Sequence, residues 1–184
     1  ITNIDELEKI CKSADFSTEY YQEKSKEIDA CYDEIIREMP KNMNEKEAVQ
    51  YFLNWIKDNV EYDYSVYESS IEPYYDKLYE NEVYADVSNK GCILDKRGIC
   101  GGISIILSEL CNRVGITAYP VFGTIKSDGT LIPHGWVAMR VDDSTYYIDP
   151  TYVCQTGEMD NLKMKNEMER IGDRQYQLED SFEY

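Results

Sequence analysis

The stretch GICGGISIILSELC, residues 98–111, sets a cysteine, Cys100, directly ahead of an apolar helical run. Ile103, Ile106, Leu107, Leu110 and Val114 recur at spacings of three and four, which puts them on one helical face. Gly115 follows as the stop, where a positive φ costs glycine nothing. A thiol at the start of a helix lies among backbone N–H groups that lack partners within the helix, at the positive end of its dipole. Both favour the thiolate, the nucleophilic form of cysteine. Gly98, Gly101 and Gly102 leave room for a second backbone, or a substrate, to approach the sulfur. The competing reading is a small buried cysteine that opens a core helix, since free cysteines are among the most buried residue types. The residues downstream decide between the two.

The 184 residues suit one domain with a substantial core, with or without appended segments. Hydrophobic residues make up 42% and charged residues 30%, the balance of a globular chain, and no apolar run approaches the ~18 residues of a membrane span. A net charge of −17 argues against nucleic acids and anionic membranes as partners, because both are held by basic patches that displace counterions. It permits attraction of lysine-rich or otherwise cationic partners. No signal peptide is recognisable and the first residue is Ile1, so the expectation is a mature form or a piece of something longer, and an exported or cell-surface bacterial domain. The six cysteines, at 11, 31, 92, 100, 111 and 154, include no C-x-x-C pair, which argues against a zinc knuckle. An oxidising compartment would allow bridges between Cys11 and Cys31 or between Cys92 and Cys154; a reducing one leaves all six as thiols. The sequence holds one histidine, His134, which excludes a multi-histidine metal site and leaves one candidate imidazole base.

Upstream of the cysteine, NEKE at 44–47 reads as a capping box, with Asn44 as the cap and Glu47 three residues on. The helix it opens turns Ala48, Val49, Phe52, Leu53, Ile56 and Val60 inward, and the chain extends where the periodicity fails, at 61–64 (EYDY). Residues 65–89 are tyrosine-rich, and a loop of that length is commonly a binding or covering element, although tyrosines also pack their rings and leave the hydroxyls in water. Two earlier patterns predict N-terminal helices without evident chemistry. The first is Ile4, Leu7, Ile10 and Cys11; the second is Phe16, Tyr20, Ile28, Cys31, Ile35 and Met39, closed by Pro40.

Downstream, strand-like runs follow at 118–123, 134–141 and 145–149. Residues 126–133 connect the first two around the turn signal Ser127-Asp128-Gly129, Asp142-Asp143 turns the second into the third, and Pro150 stops the third. Residues 155–184 carry one weak helical pattern in Leu162, Met164, Met168 and Ile171. The fold class expected is α+β: helices first, then an antiparallel sheet on which the cysteine helix packs. The division expected is an N-terminal helical extension at 1–44, a core at 45–155 and a C-terminal extension at 156–184.

A thiol nucleophile needs a base within hydrogen-bond reach, and the base needs a third group to hold its tautomer. His134 opens one strand and Asp149 closes the next strand of the same hairpin, so antiparallel pairing alone makes them neighbours. Packing the start of the Cys100 helix against that corner completes a set: Cys100 as nucleophile, His134 as base and then acid, Asp149 as orienting carboxylate. Each residue alone has a plain alternative, a half-buried histidine or a turn aspartate before proline. The three in this order on helix, strand and strand point to chemistry.

GICGGIS at 98–104, HGW at 134–136 and YIDPT at 147–151 together resemble the transglutaminase-like superfamily, over about residues 45–155. The resemblance implies a papain-like fold, with the cysteine on a helix and the histidine and aspartate on neighbouring strands. Two positions depart from the family pattern: Val137 stands where asparagine commonly follows the tryptophan, and Ile103 where an aromatic often follows the cysteine. The activity implied is thiolate attack on a glutamine carboxamide or peptide carbonyl of a peptide or protein substrate, giving a thioester that passes to an amine, a lysine-containing acceptor or water. The Cys100 N–H and one upstream donor would hold the oxyanion, with Tyr62 and Tyr64 as candidates for that donor, and Trp136 would wall the cleft beside His134. The mechanism requires no metal or cofactor. Some eukaryotic relatives use calcium, but no D-x-D-x-D-G loop is present. A cysteine peptidase on the same scaffold and a non-catalytic peptide-binding module are the alternatives.

Overall fold

The computed structural model describes residues 18–64, 92–127, 129–157, 170–171 and 174–178. Helix α1 (Thr18–Glu38) leads into α2 (Glu45–Asn59), whose start is the capping box read above. Asn44 Oδ1 accepts from the Glu47 N–H and Glu47 Oε2 accepts from the Asn44 N–H, both at 2.9 Å. The chain then extends as β1 (Glu61–Tyr62), which pairs in parallel with β2 (Arg97–Gly98), so that Tyr62 lies opposite Gly98. Short helix α3 (Cys92–Asp95) precedes β2, and α4 (Cys100–Arg113) follows it. Then come β3 (Ala118–Ser127), β4 (Thr130–Val141), β5 (Ser144–Ile148), helix α5 (Pro150–Thr156), β6 (Arg170–Ile171) and β7 (Arg174–Leu178). The larger sheet has the order β5-β4-β3-β7-β6, with every pairing antiparallel.

α4 is the centre of this arrangement because it is buried on nearly all sides. Ile103, Ile106, Leu107 and Leu110 are fully buried, each contributing about 1.5–3 kcal/mol of transfer free energy. They join Phe52, Leu53 and Ile56 of α2, Ile35 of α1 and Val137, Met139 and Val141 of β4 in one core. The end of α4 is tied in two ways. The Asn112 amide donates to the Ala118 carbonyl at 2.8 Å and accepts from the Ala118 N–H at 3.0 Å, docking the start of β3 against the helix. Arg113 pairs with Asp29 and with Asp33 at 3.2 Å, and lies over the Tyr32 ring, which fastens α1. Gly115 stops the helix at φ +89°, as read.

Several expectations change. The connection between the first two strands shrinks to residues 128–129, because β3 runs to Ser127 and β4 starts at Thr130 with the ladder continuous across Thr124 and Pro133. Asp142 and Asp143 turn β4 into β5 at φ +48° and +60°, both positive as a type I′ hairpin requires. Lys46 Nζ reaches Asp142 at 2.9 Å, holding that turn to the start of α2. Pro150 opens α5 as well as ending β5: it occupies the first helical position, where its missing N–H costs nothing. Ile171 belongs to β6, and β7 pairs with β3, so a strand from beyond residue 155 lies in the same sheet as the predicted core. Tyr32 and Ile35, from the expected N-terminal extension, lie in the main core. Residues 1–12, Phe16, the tyrosine-rich run 65–89, and Leu162, Met164 and Met168 fall outside the described residues. No helix among the described residues is long and apolar enough to cross a membrane.

The glycines around the cysteine have a different task from the one expected. A Cβ at Gly98 or at Gly102 would overlap the Cys92 sulfur, so these two make a notch that admits Cys92 rather than opening the approach to Cys100. Cys92 is fully buried there, and Cys154 sits half-buried on α5; neither is in a disulfide, nor are Cys31, Cys100 and Cys111. The bridge between Cys92 and Cys154 is therefore absent, and Cys11 lies outside the described residues. Gly102→Ala is expected to lose about 1–3 kcal/mol by overpacking against Cys92. In a Cys92→Ala background the same change should be close to neutral or stabilising by up to ~1 kcal/mol, as alanine is the better helix former. Denaturant unfolding of the four proteins of the cycle measures this.

Candidate active site

Asp149 is the N-cap of α5. Its Oδ1 accepts from the Thr151 N–H at 3.0 Å and the Tyr152 N–H at 3.2 Å, satisfying donors that a helix start leaves open. Its Oδ2 faces β4 and bonds His134 Nε2 at 2.9 Å. Antiparallel pairing of β4 with β5, Val137 opposite Ile148, brings the two together, as hairpin register predicts. With Nε2 spent on the carboxylate, Nδ1 is the nitrogen left for the Cys100 thiol, to which the ring is hydrogen-bonded. The Gly135 N–H also bonds the sulfur. A Cβ at position 135 would press on the Phe122 ring at 3.0 Å but meet the Gly101 Cα only in ordinary contact at 3.5 Å, so glycine here makes room for Phe122. Cys100, His134 and Asp149 are thus brought to one corner, with His134 buried and Asp149 fully so.

Electrostatics follow from that burial. Desolvation works to raise the Cys100 thiol, but the hydrogen bond and positive charge of His134, with the Gly135 N–H, outweigh it even against the Asp149 charge, and the thiol lies below its ordinary value. Desolvation works to lower the imidazole, but the charge and hydrogen bond of Asp149, then those of Cys100, push it up to about 9. Each shift moves its group toward the charged form. Other cysteines go the opposite way: burial pushes Cys111 and Cys154 up to about 12, with the Asp149 charge adding to the latter, and burial also raises Cys31.

The remaining sequence candidates fall around this corner in different ways. Tyr64 is 57% exposed beyond the end of β1, and its phenol oxygen accepts from Gln155 Nε2 at 3.2 Å. Tyr62 is half-buried against the main core and meets the Tyr64 ring edge-on at 4.8 Å. The segment is held beside β2 by a bond from the Asp63 N–H to the Gly98 carbonyl at 2.9 Å and by the ion pair of buried Asp63 with Arg97. Trp136 was expected at the wall of an open cleft. It is only 1% exposed, because it packs with Ile125 of β3, Tyr152 of α5 and Tyr176 of β7, and it stacks on the His134 ring at 6.3 Å. It backs the imidazole from inside.

Two residues were missed. Tyr176, fully buried on β7, donates its hydroxyl to Asp149 Oδ2 at 2.6 Å. Phe122, 42% exposed, lies opposite Gly135 on β3. The sequence carried a weak signal for the second, an aromatic in a strand facing a glycine, and none for the first. Among the described residues, no three His, Cys, Asp or Glu side chains are grouped to hold a metal ion.

Among solved structures, a TGase superposes with a TM-score of 0.53 at 16% identity, over 89% of this chain and 40% of its own. A candidate cysteine protease from Cytophaga hutchinsonii gives 0.44 at 19% identity, over 70% of this chain and 37% of its own. The chain thus spans about two fifths of the length of these structures, and its likeness to the TGase is one of fold. No curated protein sequence is a significant match. The model of the transglutaminase-like domain family matches residues 30–170, a span that holds Cys100, His134 and Asp149, and the chain belongs to that family.

Proposed function

We propose that the chain is a thiol enzyme that transfers or hydrolyses acyl groups at a glutamine or peptide amide. The observation that carries this reading is a half-buried thiol at a helix start beside an imidazole whose Nε2 is held by a buried carboxylate at 2.9 Å, an arrangement that lowers the thiol's pKa. Neither the burial nor the packing of the helix requires a charged pair at that place, whereas nucleophilic catalysis does.

In this mechanism the Cys100 thiolate attacks the amide carbon, and the carbonyl electrons move to oxygen. The oxyanion is held by the Cys100 N–H and by a donor from the Tyr62–Tyr64 segment, which lies beside β2 just ahead of the cysteine. When the C–N bond breaks, the His134 imidazolium gives its proton to the departing ammonia or amine. The neutral imidazole then takes a proton from the acceptor, an amine, a lysine side chain or water, as it attacks the thioester. That step restores thiolate and imidazolium. Asp149 holds the ring in one tautomer and stabilises its charged form throughout. A peptide or protein substrate is favoured by the aromatic surface at the site: exposed Phe122 covers Gly135, whose N–H bonds the sulfur. Cationic, lysine-rich acceptors suit the charge of −17, while nucleic acid and membrane insertion do not belong to this reading. The exported or cell-surface setting belongs to it and draws on the acidic composition.

Iodoacetate, an anion, reacts fastest with a thiolate that has an imidazolium beside it. Its rate with Cys100 should rise with pH as the thiol ionises, below the ordinary value of 9, and fall again as His134 loses its proton at about 9. Mass spectrometry should find the label on Cys100, and His134→Ala should abolish the bell; equal, slow labelling of several cysteines would favour a binding module. With glutamine peptides and an amine donor, ammonia release should fall by about 10²–10⁴-fold in Asp149→Asn. Peptide cleavage without ammonia release would assign the chemistry to a peptidase. Phe122→Ala should raise KM for the peptide by about tenfold, the worth of ~1.4 kcal/mol, and leave the iodoacetate rate unchanged.

A further inference from the structure

Asp149 Oδ2 takes two donors, His134 Nε2 at 2.9 Å and the Tyr176 hydroxyl at 2.6 Å, while Oδ1 takes the two N–H groups of the α5 start. We propose that Tyr176, brought into the sheet by β7, is a positioning residue that fixes Asp149 and through it the orientation of the His134 ring. The proposal rests on the acyl-transfer reading above.

A buried phenol needs an acceptor, and many would serve for stability alone. Tyr176 uses the same oxygen that receives the imidazole N–H. A carboxylate carries about four acceptor directions, two on each oxygen, and these four donors fill them. Rotation of the carboxylate would break bonds on both sides, so its plane is locked and the ring is held with Nε2 protonated and Nδ1 toward the sulfur. The Tyr176 ring meets His134 edge-on at 6.2 Å and Trp136 at 5.3 Å, so the phenol is seated from the side as well. The second consequence is electronic. A strong O–H···O⁻ bond draws charge from Oδ2 that would otherwise bind the imidazolium. Tyr176 thus tempers the pull of Asp149, and the ring can surrender its proton to a leaving group. The titratable groups facing this point include Cys100 from α4, His134 from β4, Cys154 from α5 and Tyr176 itself.

The test is Tyr176→Phe, which deletes one oxygen and keeps the ring contacts. The expected result is a kcat lower by about 5–20-fold at unchanged KM. The basic limb of the iodoacetate profile should also move upward by about half to one pH unit, because Asp149 then holds the imidazolium more tightly. In an Asp149→Asn background the same substitution should change the rate less than about twofold, since a residue acting through Asp149 has nothing left to act on. Should the phenylalanine variant fold poorly, 3,5-difluorotyrosine at position 176 keeps the size and the hydroxyl, donates more strongly, and should move the basic limb downward. A profile that superposes on the parent in both variants, or an equal loss with and without Asp149, overturns the proposal. A parent protein with no bell-shaped, Cys100-selective alkylation would instead overturn the reading on which it rests.

Discussion

A carboxylate with no exposed surface survives only if its lone pairs are taken up. Asp149 meets that demand with donors from three elements: the backbone at the start of α5, the His134 ring on β4 and the Tyr176 hydroxyl on β7. The group that caps a helix is thereby also the one that charges and orients the imidazole. The cap holds the carboxylate still for local reasons, independent of any substrate. A third consequence is topological: β7 must be in the sheet before the last donor arrives, so residues well beyond the family motifs complete the corner.

The other half of the corner is set by close approach. Cys92 enters the notch at Gly98 and Gly102, which draws α3 and β2 against the first turn of α4. On the opposite side β4 passes Gly101 at Gly135, with the Gly135 N–H on the sulfur. The thiol thus lies between the Cys92 notch on one side and β4 on the other. Its depressed pKa follows from the partners it meets there, and the elevated pKa of Cys111, in the last turn of the same helix with burial as its cause, shows what burial does to a thiol without them.

Much of this is written locally. The periodicity of Ile103, Ile106, Leu107 and Leu110, the Asn44 capping box, the Gly115 stop and the Asp142-Asp143 turn depend on neighbours in sequence, and each occurs where local rules put it. The meeting of His134 with Asp149 was legible because one hairpin connects them. Asp149 before Pro150 also carried a signal that went unread, a cap residue followed by proline at the first helical position. Tyr176 carried none: RQYQL at 174–178 has one apolar alternation too short to place a strand, and its pairing with β3 spans about fifty residues of chain. The use of Gly98 and Gly102 was hidden for the same reason, since nothing near Cys92 in sequence says which backbone it will touch.

The central claim is that the resting site holds a thiolate beside an imidazolium, and the single histidine makes it directly measurable. In protein labelled with ¹⁵N-histidine, the ring resonances belong to His134 without further assignment. The account predicts two protonated ring nitrogens at neutral pH, titrating near 9, and a clear downward shift of that titration in Cys100→Ala, where the sulfur's charge is gone. A neutral ring at pH 7, or a titration identical in the two proteins, would contradict it.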